Sequence, residues 1–229
     1  MPPAYFAAAV LRYAALQFIA LTACAMVVYA GGSWLDPTTP YQITGNFLSD
    51  LGMTHAWSGH ANYASCALFA IALSTIGIAL VVFAWTWRDF AFARGRARWL
   101  GWTSAVLGTA SGLAFTGVAA TPIDLALDLH NTFVVSAFSL LLGYVLVITL
   151  VMWRNGIGGA RLAIHLVYLA LVIGYLTLVL AGPRIGTPEA QRIQVIGQKI
   201  IAYGSMVHVL YLATSVRRAI ARSCRRQHP

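Results

Sequence analysis

Residues able to do chemistry are scarce in this chain, which is only 9% charged, and they are bunched. Asn46, Ser49, Asp50, His55 and His60 share the stretch 41–60. Asp124, Asp128 and His130 form a second knot, and Arg184, Glu189, Arg192, Gln198 and Lys199 a third. Carboxylate and imidazole are hard or borderline ligands, so Asp50, His60 and His130 are metal candidates, with zinc the ion best matched to them. Neither a His-Glu-x-x-His nor a Cys-x-x-Cys spacing supports that site. His60 and His130 are also the type that holds haem, although lone histidines more often hydrogen-bond than ligate. Ser49, Asp50 and His130 supply the residue types of an acyl-transfer constellation, without a nucleophile-elbow sequence around the serine.

Each candidate has a structural alternative. Asn46 is a fit N-cap for a short turn ending at Gly52. Thr121, Pro122 and Asp124 read as N-cap, first and third positions of a helix start. Asp50 is harder to explain locally. It lies between Leu48 and Leu51 with no basic residue nearby, so burial would demand a partner from another segment or a raised pKa. Arg184, Arg192, Lys199 and His130 are the available partners.

The segments that must position these residues are apolar. Hydrophobic residues make up 59% of the chain and the mean hydropathy is +0.74, values outside the range of soluble domains. Six runs approach the length needed to cross roughly 30 Å of hydrocarbon at about 1.5 Å per residue. They fall near 13–30, 61–85, 100–120, 131–153, 162–181 and 193–216. The expected fold is therefore all-α, a single transmembrane domain of six helices followed by a basic tail, 217–229.

Loop charge predicts orientation. Arg12, Arg88, Arg94, Arg96, Arg98, Arg154, Arg161, Arg217, Arg218, Arg222, Arg225 and Arg226 fall on one face, twelve of the fifteen basic residues. That face is expected to be cytoplasmic, with both termini, in a multi-pass protein of the cell membrane. Only Arg184, Arg192 and Lys199 belong to the other face, along with every acid except Asp89. The seven tryptophans all lie at span ends, as an interfacial aromatic belt requires. Membrane lipids are the expected partners, and the net charge of +9 needs no nucleic acid to explain it. Cys24, Cys66 and Cys224 are too scattered for a disulfide framework.

Two patterns predict packing. Gly108 and Gly112, then Gly117, form a small-residue seam on the third span. Gln191, Gln194, Gln198, Ser205 and His208 step by three, four, seven and three along the last span, one helical face that must look inward. His165, one turn into the fifth span, reads as interfacial or hydrogen-bonded within the bundle.

Asn46-Phe-Leu-Ser-Asp-Leu-Gly52 resembles the Asn-Tyr-Ile-Ser-Asp-Leu-Gly signature of the six-span prokaryotic membrane family catalogued as domain of unknown function 998. Gly117 and Pro122, with His130 and Phe138, are similar to that family's Gly-x-Phe-Pro…His…Phe stretch. Glu189-Ala-Gln-Arg192 is similar to its Glu-Arg-Ile segment. The likeness runs from about residue 7 to 216 and implies the same six-span fold, with Asp50, Pro122, His130 and Arg192 as carried-over site residues. Val118–Thr121 departs from it, where the family tends to have Phe before Pro. A fainter likeness to membrane-embedded ceramidase-type hydrolases lacks their last-span His-x-x-x-His, since His208 stands alone. The expectation is an outward-facing polar pocket built from Asn46, Ser49, Asp50, His60, Asp128, His130, Arg192, Gln198 and Lys199. It would bind a lipid or small amphiphile; the alternatives are a hydrolase of lipid amides or esters and a non-catalytic membrane subunit.

Overall fold

The computed structural model describes residues 3–92, 98–154, 156 and 158–227, with side chains described to 88 in the second helix and to 215 in the last. The loop arginines Arg94 and Arg96 lie outside the described residues, as do the side chains of Asp89, Arg217, Arg218, Arg222, Cys224, Arg225 and Arg226.

The described chain is all-α: α1 (Pro3–Val27), α2 (Tyr63–Phe92), α3 (Arg98–Ala120), α4 (Ile123–Arg154), α5 (Ala160–Ala181) and α6 (Pro188–Gln227). Among the described residues six helices are long and apolar enough to cross a membrane, the make-up of a multi-pass membrane protein. Each helix packs on the next, and α6 returns to α1, so the six close into a ring. Apolar residues also cover the outside: Ile78, Leu113, Leu146, Ile173 and Val207 are exposed, as a lipid-facing wall requires.

Helix bounds differ from the hydropathy reading mainly at polar ends. α1 begins ten residues before 13, because Ala4, Ala7, Ala8 and Leu11 continue the inward face formed by Ala14, Ala15 and Phe18. Arg12 is thereby carried into α1, exposed, where its long side chain can snorkel. The basic tail is no separate segment, since its backbone continues α6 to Gln227. α4 starts at Ile123 but kinks at Ala126 (φ −150°, ψ 55°), so its first turn is angled from the rest.

The glycine seam forms as the spacing predicts. The backbones of α2 and α3 meet at Gly77 and Gly112, where a Cβ on either residue would strike the other's carbonyl oxygen. Gly108 lies against Ala84 and Tyr144, and Gly117 against the ring of Phe133. That close approach holds the α3–α4 turn beneath the loop that joins α1 to α2.

Candidate functional site

The loop 28–62 folds back over one end of the ring, and Asn46 is its hub. The Asn46 Oδ1 accepts the Gln42 N–H at 2.9 Å, while Nδ2 donates to the Gly32 carbonyl (2.9 Å) and to Asp50 Oδ2 (3.1 Å). It is not the expected N-cap. The short 3-10 turn Ser49–Gly52 follows Leu48 with no side-chain cap, and it is Asp50 that reaches back to the Phe47 N–H at 2.9 Å. Asn62 ties the far end of the loop, accepting the Ala30 N–H at 3.1 Å and donating to the Met53 carbonyl at 2.9 Å.

The inward stripe of α6 receives this loop. Gln191 Nε2 donates to the Gly45 carbonyl at 2.7 Å. Gln198 Oε1 accepts the Leu48 N–H at 2.6 Å, and its Nε2 donates to Ser49 Oγ at 3.3 Å. The Lys199 ammonium donates to the Asn46 carbonyl and lies 5.5 Å from the Tyr41 ring centre. Asn46, Asp50, Gln191 and Lys199 are all buried. Burial pushes the Asp50 carboxyl up to about 6, against the opposing pull of Asn46, the Phe47 N–H, the Trp57 side chain and the Lys199 charge. Lys199, of the four partners expected for Asp50, is the one whose charge acts on it.

Two cavities meet beside this cluster. A vestibule of about 920 Å³ lies between the loop, the start of α4 and the α5–α6 connection; its lining includes Trp34, Trp57, Asp50, Asp124, Asn131 and Arg184. A smaller chamber of about 120 Å³ sits inside the ring, with walls from all six helices: Phe18, Leu73, Phe115, Leu141, Tyr168 and Met206 are among them. Ser49, His130, Val134, Tyr175 and Gln198 line both, and so form the boundary, or neck, at which the two abut.

His130 is buried at that neck with Nδ1 2.7 Å from the Thr121 carbonyl oxygen. A carbonyl only accepts, so Nδ1 carries the proton and the lone pair of the neutral ring is on Nε2. Thr121 turns its hydroxyl back to the Gly117 carbonyl at 2.8 Å instead of capping α4. Asp124 likewise leaves its expected capping role. Its carboxylate accepts the Thr54 N–H (3.0 Å), the Thr54 hydroxyl (2.5 Å) and the His55 N–H (3.0 Å), latching the loop to the first turn of α4.

Several expected site residues lie elsewhere. His60 is exposed at the end of a small hairpin in which His55 bridges Ala61, and its carbonyl accepts the Ala56 N–H. Asp128 is exposed on α4, and Arg192 is exposed one position beyond the inward Gln191. A one-residue step turns a side chain about 100° around a helix, which suffices to move Arg192 off the stripe. The metal trio Asp50, His60 and His130 is therefore not assembled, and among the described residues no three His, Cys, Asp or Glu side chains converge. Of the haem pairing, His60 is exposed on the hairpin and His130 is buried. The acyl-transfer relay is not formed: a backbone carbonyl orients His130, while Asp50 serves Asn46 and Phe47.

Deeper in the ring His165 and His208 form a pair. His165 Nδ1 lies 3.0 Å from His208 Nε2, and His165 Nε2 lies 3.4 Å from the Val145 carbonyl oxygen. Because that carbonyl accepts, His165 is protonated at Nε2 and His208 donates to it through its own Nε2–H. Tyr168 stacks on His208 with centroids 3.9 Å apart and gives its hydroxyl proton to Ser205 at 3.1 Å. Spacing held a usable signal, since His165, Tyr168, Val172, Tyr175 and Leu176 occupy one face of α5.

No known family model, curated protein or solved structure matches this chain.

Proposed function

We propose that this protein binds a lipid or small amphiphile from the outward face of the cell membrane. The observation that carries this reading is a partly polar vestibule that shares one boundary, the neck, with an apolar chamber. At about 920 Å³ the vestibule is within the roughly 300–1,000 Å³ range of ligand pockets. The chamber, about 120 Å³, is close to the ~150 Å³ apolar cavity that holds a benzene-sized solute. Sizes therefore divide the ligand: headgroup and upper chain in the vestibule, and only a short apolar tip past Val134 and Tyr175. The arginine asymmetry supports an outward vestibule with cytoplasmic termini. Ser49, Asp50 and His130, through which the chain resembles the family catalogued as domain of unknown function 998, all line the vestibule.

The test is mass spectrometry of protein purified in a mild neutral detergent, comparing wild type with Val134→Trp, which fills the neck from a half-buried position. Wild type should retain a stoichiometric amphiphile, and the variant should lose most of it at unchanged melting temperature. Equal retention by both, or none by wild type, removes this reading. A second reading, hydrolysis of a bound ester or amide, draws on Ser49 and His130 sharing the neck. It requires release of free fatty acid that Ser49→Ala abolishes.

A further inference from the structure

Charge and aromatic faces are unevenly distributed around the vestibule. Trp34, Phe47 and Trp57 line it together with two carboxylates, Asp50 and Asp124, and a single described cation, Arg184. Lys199 is turned away, toward the Asn46 carbonyl and the Tyr41 ring.

The loop brings the backbone segments that carry the two indoles together. The backbone at Gly32 presses directly on Trp57 and Ser58, and the Ser58 N–H donates to the Gly31 carbonyl at 3.1 Å. A side chain at position 32 would strike that backbone, and φ of +83° adds a second reason for glycine there. Trp57 lines the vestibule with its indole, and its backbone N–H is held by the Tyr29 hydroxyl at 3.4 Å. Trp34 and Trp57 are both partly exposed, 45% and 37%. Asp124 is exposed too, and an ionised carboxylate has acceptor capacity beyond the hydrogen bonds that Thr54 and His55 give it.

Indole faces and carboxylates attract the same kind of group. An organic cation gains from the negative face of the ring and from the Asp124 charge, whereas an anionic head would meet that charge with Arg184 to offset it; the Asp50 charge is already opposed by Lys199. We infer that the vestibule selects an amphiphile whose headgroup carries an ammonium group, an assignment that rests on the amphiphile reading above. Trp34 and Trp57 supply the faces and Asp124 the direct counter-charge. Arg184, on the opposite connection, accommodates a phosphate where the headgroup is zwitterionic. The ammonium can come from a phospholipid or from a simple alkylammonium.

Titration in neutral maltoside micelles tests this, read by intrinsic tryptophan fluorescence and by competition. The ligands are lysophosphatidylcholine, an alkyltrimethylammonium, a monoacylglycerol and lysophosphatidylglycerol, all of one chain length. Both ammonium amphiphiles should bind about tenfold more tightly than the anionic one, the factor expected of a partly desolvated cation–ring contact with a counter-charge. Lysophosphatidylcholine ahead of the alkyltrimethylammonium identifies a phospholipid source, and the reverse order a simple amine; both uphold the inference. Asp124→Asn and Trp34→Leu should each narrow the gap. Trp34→Leu touches none of the loop's hydrogen bonds, so it remains informative if Asp124→Asn loosens the loop. Anionic or neutral amphiphiles binding as tightly as the ammonium pair overturn the ammonium assignment and leave amphiphile binding standing. Failure of all four to bind overturns both.

Discussion

The cluster beneath the 28–62 loop and the His165–His208 pair are both polar and both buried, yet they are made of different materials. The first contains an acid and a base, Asp50 and Lys199, and its hydrogen bonds run largely to loop backbone: Gly32, Gly45, Asn46, Phe47 and Leu48 all contribute. The second joins two imidazoles, a phenol and a hydroxyl, with helix carbonyls at its ends. Helical backbone has already spent its N–H groups on itself, so inside the spans polar side chains must satisfy each other. Irregular backbone has donors and acceptors to spare. The buried acid sits where the chain is irregular and takes its basic partner from α6, whereas uncharged pairs are buried deeper between the helices.

Removing the hub of the charged cluster should break this contrast most severely. Asn46→Ala deletes three hydrogen bonds and exposes Asp50 to an unmatched site, and it should cost about 3–5 kcal/mol, read as a large drop in melting temperature in detergent. A loss below about 1 kcal/mol would mean that the loop does not depend on its hub.

Proton linkage sharpens the same contrast. Burial raises the Asp50 pKa from 3.8 to about 6, so the native state holds that proton more tightly than the unfolded chain does. The stability it contributes is full below pH 3.8 and declines as pH rises through 6, by roughly 2–3 kcal/mol in all. Melting temperature measured from pH 4 to 8 should fall across that window in wild type, and Asp50→Asn should flatten the profile. A slope that persists in the variant assigns the effect to another group.

The histidine pair should be the less costly to break. His208→Phe keeps the bulk against Tyr168 and removes one side-chain hydrogen bond inside the spans, so about 1–2 kcal/mol is expected. A loss as large as that from Asn46→Ala would erase the distinction between the two networks.

The sequence made some of this legible and hid the rest for identifiable reasons. The α6 stripe was readable because helical period alone selects Gln191, Gln194, Gln198, Ser205 and His208: three are buried, Gln198 reaches the loop, and Gln194 bonds to the Leu178 and Pro183 carbonyls of the α5–α6 connection. The seam at Gly108 and Gly112 was readable for the same reason. Capping assignments failed because they consider only neighbours in sequence: Asp124 is drawn to Thr54 and His55, seventy and sixty-nine residues away, and Asn46 to Gly32. His60 and Arg192 had suitable chemistry in suitable segments. Their exposure depends on a hairpin turn and on a single helical step, which residue type does not specify. Asn62, flanked by Ala61 and Tyr63, gave no sign that it would join three separate backbone positions.

The ties from α6 to the loop span 146, 150 and 153 residues. The loop therefore leaves the ribosome long before its keystone exists; at about 5–20 residues per second the wait is on the order of ten seconds. Through that interval the Gly45 and Asn46 carbonyls and the Leu48 N–H, which the last helix will engage, must be satisfied by water. A nascent chain halted before Gln191 would carry its earlier helices in the bilayer under an unfastened loop, and arrival of the last helix is the event that closes the ring and ties that loop down.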